Sequence, residues 1–200
     1  MRIWTIQPIL VWERLLQNKR LVVDKRAVDR DHVDPYRWMA DQMRLRMKAV
    51  RNQGFPWWGW CRWNGTKRVR PDLRADRFCY PRGERHVRIE LELADHKVLL
   101  HDYEAWHAVL NDYFLSFSEA EDEDFERRLA CANIPDQDKM QREPFRSEIL
   151  RSWERIFDLQ GGDPQWRAEP EVRSIQATFW TLALDDVRDV TFFVGAGSAV

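Results

Sequence analysis

Residues 55–63 read FPWWGWCRW, and the folding of this stretch decides how the rest of the chain is arranged. Tryptophan stands at positions 57, 58, 60 and 63. Gly54 precedes the run and Asn64-Gly65, a turn signal, follows it, so the stretch is predicted to be a strand. Side chains alternate along a strand. Phe55, Trp57, Gly59, Cys61 and Trp63 then share one face, and Trp58, Trp60 and Arg62 share the other. A strand covered on one side only does not need tryptophan on both. One face belongs in the core, and the other is expected to line a groove or pack under a helix.

Working outward, Arg2 to Gln7 is a short β-branched segment ended by Pro8, and reads as a strand. Ile9, Trp12, Leu15 and Leu16 recur at helical spacing through Asn18, and Leu21 to Val23 forms a second short strand. Asp34-Pro35 is a helix-start signal. A stripe of Tyr36, Met39, Ala40, Met43, Met47 and Val50 follows, opposite Arg37, Asp41, Arg44 and Lys48, and Asn52-Gln53-Gly54 closes the helix. His86 to Leu93 alternates cleanly, with Val87, Ile89, Leu91 and Leu93 inward and Arg88, Glu90 and Glu92 outward. Val98–Leu100 is a short strand. Asp102 caps a helix whose stripe is Trp106, Val109, Leu110 and Tyr113. Residues 118–144 are expected to be an irregular or acidic insertion, opening on SEAEDED as a solvated loop or helix start. A helix over Phe145–Asp158 and a strand over Ser174–Leu182 follow. Asp185–Val190 reads as a helical turn and Thr191–Val194 as a last strand. This mixed order predicts an α+β fold over residues 1–200 as a single compact domain. Its sheet is mixed or largely antiparallel, with a split sheet as a variant, and helices flank it.

Hydrophobic residues make up 44% and charged residues 32% of the 200, which describes a globular chain rather than a disordered one. The formal net charge of −1 leaves no global basic field, so nucleic acid could be held only by a local patch. Cys61, Cys79 and Cys131 form no C-x-x-C pair and are odd in number, which fits a reducing, cytoplasmic setting without a zinc ribbon. MRIWTIQP has no apolar leader core, and no run is long enough to span a bilayer, so no membrane partner is expected. No P-loop, G-x-G-x-x-G or G-x-S-x-G motif occurs. His96, His101 and His107 lack a metal-binding spacing, and no metal is expected. Glu90 and Glu92 could flank a substrate or pair with arginines on the sheet surface.

The four tryptophans are followed by Arg62, Lys67, Arg68, Arg70, Arg74 and Arg77. Aromatics interleaved with cations suit single-stranded nucleic acid, or the adenine and pyrophosphate of a dinucleotide. The same pattern also describes a wide core wall with a basic loop at its edge. Gln176 points opposite to Ile175, Ala177 and Phe179, as either an edge residue or a site residue.

RIWTIQP, PWWGWCRW, RPDLR, VLLHDYEAWHAVLN, SWERIFDL and SIQATFWTL occur in that order over nearly the whole chain. Together they resemble a bacterial domain-of-unknown-function family, DUF3841-like, with a W-T-I-Q opening strand and a late I-Q-x-x-F-W strand. That resemblance implies a compact domain and no particular activity. In layout alone the chain is similar to ADP-ribosyltransferase-like domains: a first strand carrying Thr, a helix, a short strand, and a late strand starting with Glu or Gln. This second resemblance implies NAD as cofactor. It places Gln176 and Thr5 at the reacting ribose and Arg2, Gln7, Trp57, Trp58 and Arg74 around the dinucleotide. The first strand here has no histidine, and a glutamine can hydrogen-bond a ribose hydroxyl but cannot act as a general base. Three readings result. The chain is an ADP-ribosyltransferase-like or NAD/nucleotide-binding protein of bacterial or phage origin; a single-stranded nucleic-acid-binding module with a Trp/Arg surface; or a non-catalytic protein-interaction domain with a protein partner.

Overall fold

The apolar first strand and the alternating His86–Leu93 stretch pair along their whole length, and the first unit of the fold is built around that pair. A computed structural model describes residues 1–24, 26, 28–47, 54–132 and 142–198. The chain forms two compact units, residues 1–100 with 175–200, and residues 101–174. The elements of the first are β1 (Arg2–Pro8), α1 (Ile9–Asn18), β2 (Arg20–Leu21), α2 (Val33–Arg46), β3 (Trp57–Arg62), α3 (Leu73–Asp76), β4 (Arg85–Glu92), β5 (Leu99–Asp102, whose last two residues count with the second unit), β6 (Ile175–Phe179), β7 (Leu182–Ala183) and β8 (Val187–Val194). The main sheet has the order β5-β6-β3-β1-β4-β8, and β2 pairs with β7 in a separate two-stranded sheet. The β1–β3, β1–β4, β3–β6 and β4–β8 ladders are all antiparallel. The fold class is α+β, with a largely antiparallel sheet.

In the β1–β4 ladder Ile3 stands opposite Leu91, Thr5 opposite Ile89 and Gln7 opposite Val87. Ile3, Val87, Ile89 and Leu91 are fully buried, and with Leu15 of α1 and Ala177 and Phe179 of β6 they form the main core. The other sheet face is covered as well. Met39, Ala40, Met43 and Met47 are buried along α2 and just past its end, and the last three cluster with Trp180. Of the residues expected to point outward from β4, Arg88 is buried and Glu90 is half-buried and paired with Arg2. Arg88 is 8% exposed and donates to the Pro71 carbonyl at 2.7 Å, and Glu90 accepts from Trp4 Nε1 at 2.9 Å. Alternation of polarity marks two faces of a strand, but a connection laid over the polar face buries it all the same.

Several boundaries differ from expectation. A 3-10 turn at Arg30–His32 leads into α2, so the helix starts at Val33 and Asp34 lies in its first turn rather than at its cap. Lys48, Val50, Asn52 and Gln53, assigned above to that helix and its end, lie outside the described residues. β8 is one strand from Val187, where a helical turn was expected through Val190. The turn is confined to Leu184–Asp186 because Val187 and Val190 pack on the core.

The second unit contains α4 (Tyr103–Leu110), α5 (Glu119–Cys131), α6 (Phe145–Ser152) and a 3-10 helix at Trp153–Phe157 that continues α6. Asp102 caps α4 by accepting from the Ala105 amide at 3.1 Å. Residues 119–131 are helical, so of the two forms expected for SEAEDED, a solvated loop or a helix start, the chain adopts the helix start. Ser118 accepts from the Glu121 amide, the first-turn acids suit the positive end of the helix, and Phe125 and Leu129 bury one face. Phe125 stacks on Phe114 with centroids 4.2 Å apart and meets Phe145 edge-on. Asp102 also pairs with Arg167 at 2.7 Å, and Arg173 donates to the carbonyls of Leu159, Gly161 and Ala168, so two buried guanidiniums hold the loop after the 3-10 helix. Among the described residues no helix is long and apolar enough to cross a membrane.

Gly59 leaves no room for a side chain between β3 and β1: a Cβ there would lie 2.6 Å from Ile3 Cγ2 and 3.0 Å from the Trp4 carbonyl oxygen. Gly59→Ala must push two central strands apart in a packed core. It is expected to cost about 1–3 kcal/mol, read as a lower urea midpoint at unchanged m-value.

Candidate functional site

Three elements of the first unit end around one space. β1 finishes at Gln7 and Pro8, β3 begins at Trp57 and Trp58, and the start of α2 presents Tyr36, with His32 at the end of the 3-10 turn before it. Between them lies an open cavity of about 450 Å³, bordered also by α1, by residues 21–24, 28 and 29, and by Pro56. The cavity sits at the start of β3, so two consecutive tryptophans that point to opposite sheet faces both line it.

Hydrogen bonds hold its walls. Trp57 Nε1 donates to the Leu21 carbonyl at 3.2 Å. Thr5 Oγ1 donates to the Trp58 carbonyl at 2.8 Å and accepts from Gln7 Nε2 at 2.7 Å. This relay sets the orientation of the Gln7 amide. Tyr36 packs against Trp58 with centroids 4.9 Å apart and meets Phe55 edge-on at 6.5 Å. Burial pushes the Tyr36 phenol above its ordinary pKa, so its hydroxyl stays protonated. The charged groups of the lining are Arg14, Asp24 and Asp29, with His32 beside them. Asp24 accepts from the Arg26 amide, and Asp29 caps the 3-10 turn through the Asp31 amide. Among the described residues the lining therefore carries two carboxylates against one guanidinium.

Of the residues expected from sequence, Gln7, Trp57 and Trp58 come together here. Thr5 is 1% exposed and acts as the post behind Gln7. Arg2 lies at the other end of β1, 3.2 Å from Glu90. Gln176 stands opposite Trp60 in the β3–β6 ladder, on the same face as Thr178 and opposite to Trp57. Arg74 is exposed on α3 and clamped by Asp72 at 2.7 Å, an interaction that pulls the Asp72 carboxyl down to about 2. The seven residues do not converge on one cleft, because Gln176 and Arg2 belong to different strand ends and faces. Sequence reasoning missed Arg14, Asp29 and His32, and took Tyr36 only as a core residue.

The histidine trio is dispersed in role. His101 is fully buried against Trp106, His107 Nδ1 lies 3.1 Å from the Tyr103 carbonyl, and His96 is exposed. Among the described residues no group of three or more His, Cys, Asp or Glu is placed to hold a metal ion. Cys61 is half-buried against the core, and burial raises its thiol pKa; Cys79 and Cys131 are exposed and free.

An α+β protein with an aromatic cavity at the end of a central strand is the class this geometry defines. Residues 2–188 match the model of a family described as a domain of unknown function, DUF3841, and the chain belongs to that family. No match to the chain occurs among curated proteins or among solved structures.

Elsewhere in this unit, Asp76 is 4% exposed and its Oδ2 has no hydrogen-bond partner among the described residues. Burial, then the Asp72 charge, push its carboxyl up to about 6 against the pull of Arg88. The folded chain thus holds this proton more tightly than the unfolded chain, so the group favours folding least once it is ionised. That penalty enters as pH rises from about 4 towards 6 and stays constant above. Asp76→Asn is expected to raise stability at pH 7 by about 1–3 kcal/mol and to change it little at pH 4, read from urea unfolding across that range. An equal change at both pH values would contradict this.

Proposed function

We propose that the chain is an NAD- or nucleotide-binding protein that takes the flat ring of its ligand into the cavity between β1, β3 and α2. The supporting observation is the meeting of Trp57, Trp58 and Tyr36 with the oriented amide of Gln7 in one space of about 450 Å³. Aromatic walls with a few convergent polar groups are the usual make-up of a small-molecule site. Gln7 offers both a donor and an acceptor, which suits the carboxamide of nicotinamide or the edge of adenine. The charge of the lining favours the nicotinamide end. A pyridinium cation is attracted to aromatic faces, and the two carboxylates add to that attraction. Those carboxylates can also accept from ribose hydroxyls, while Arg14, exposed at the rim, is available to a phosphate. The narrower reading, an ADP-ribosyltransferase-like enzyme, adds release of nicotinamide to binding.

Titration with NAD, nicotinamide mononucleotide and ATP, followed by tryptophan fluorescence, tests the proposal. NAD and the mononucleotide are expected to quench. Gln7→Ala is expected to weaken both by about tenfold, the worth of one well-made hydrogen bond. Quenching with no nicotinamide released on long incubation would leave a binding protein and remove the transferase. Absence of any response to all three ligands would overturn the reading.

A further inference from the structure

Residues 62–88 hold nine of the chain's 32 lysines and arginines but only three of its 33 aspartates and glutamates. The chain as a whole stands at −1, so this segment is at +6 and the remainder at −7. The segment is also fixed in place. Its hairpin closes through Trp63 N to the Val69 carbonyl at 2.8 Å and Asn64 N to the Arg68 carbonyl at 3.0 Å. Arg88 ties Pro71 down onto β4. Ala196 N donates to the Arg77 carbonyl at 2.8 Å and Gly197 N to the Tyr80 carbonyl at 2.9 Å. The approach of that last stretch is so close that a Cβ on Gly197 would stand 2.4 Å from the Phe78 carbonyl oxygen.

What this ridge shows to solvent is cationic. Lys67, Arg68, Arg70, Arg74 and Arg77 are exposed, and among the described residues only Arg74 of these is engaged in an ion pair. Of the three acids, Asp76 is buried and Asp72 is held by Arg74, which leaves Glu84 exposed at the far end. Amid these cations Phe78 is 58% exposed, with the Arg77 guanidinium 5.1 Å from its ring centroid. An exposed aromatic face among unpaired guanidiniums is more than a solubilising surface needs. It supplies both parts of a platform for unstacked bases: a ring to stack on and cations for the phosphates.

We propose that the ridge from Lys67 to Phe78 binds single-stranded nucleic acid, independently of the cavity. With the remainder of the chain acidic, such a strand is confined to this ridge, and its affinity must fall with salt as released counterions are replaced.

The test is fluorescence anisotropy of the full chain with labelled oligothymidine and oligouridine of about 15 nucleotides, a length that covers one such platform. Between about 50 and 200 mM salt, log K is expected to fall against log salt with a slope of about −2 to −3, for three or four phosphates. The triple variant Arg68→Gln/Arg70→Gln/Arg77→Gln is expected to bind about tenfold more weakly with a flatter slope. Phe78→Ala is expected to weaken binding about tenfold with the slope kept, as for a lost stacking contact. All four side chains are exposed, and unchanged melting temperatures confirm that folding is intact. Equal affinity for the two oligomers assigns recognition to phosphate and base, and a preference for uridine adds the 2′-hydroxyl; either supports the proposal. Absence of binding at the low salt end would overturn it, as would equal competition by polyglutamate or by duplex of the same length. Gln7→Ala should leave this binding unchanged, so failure here and failure of the nucleotide reading are separate results.

Discussion

The contact on which the first unit depends is the bare backbone of Gly59 against Ile3 and the Trp4 carbonyl. Closeness there brings β3 near enough for the hydroxyl of Thr5 to reach the Trp58 carbonyl, and that hydroxyl in turn receives the amide of Gln7. Thus one missing side chain in the core decides where a polar group points at the cavity. The order of cause runs from steric fit to hydrogen bond to the orientation of one amide in the cavity wall. It explains why Thr5, although fully buried, matters to the site without entering it.

Much of the architecture was legible because it is local. The alternation of β4, the apolar first strand and the stripe of α2 each declare themselves within a dozen residues. The acidic helix was equally written in the chain: Ser118 and Glu121 stand at capping spacing, and Phe125 and Leu129 are four apart. Its density of charge left loop and helix start open, and the acids in its first turn favour the helix. What was not legible is non-local. Gln176 joined the tryptophan set on paper, but strand order places β6 on the side of β3 away from β1, and the register sets Gln176 opposite Trp60. Asp29 and His32 lie in a stretch without periodicity, Tyr36 heads the α2 stripe, and only folding brings the three to Trp57 and Trp58.

Charge is segregated in this chain in a way that its near-neutral total conceals. The ridge over residues 62–88 gathers cations, while the cavity at the opposite end of β3 has, among the described residues, more carboxylate than guanidinium in its lining. β3 itself runs between them, with Trp57 and Trp58 at one end and Arg62 at the other. The aromatic run therefore serves two environments of opposite sign. The tryptophans of one short strand need not share a purpose.

Strand order also bears on how the chain is made. β3, β1 and β4 are all complete by residue 92, but the strands that satisfy their outer edges, β6 and β8, begin at residues 175 and 187. A ribosome working at about 5–20 residues per second leaves those edges open for about 4 to 15 seconds while residues 101–174 emerge. Open strand edges invite pairing with other chains. The second unit, contiguous in sequence, has no such wait and can form as soon as it clears the tunnel. The first-made half of this protein is thus the last to be finished.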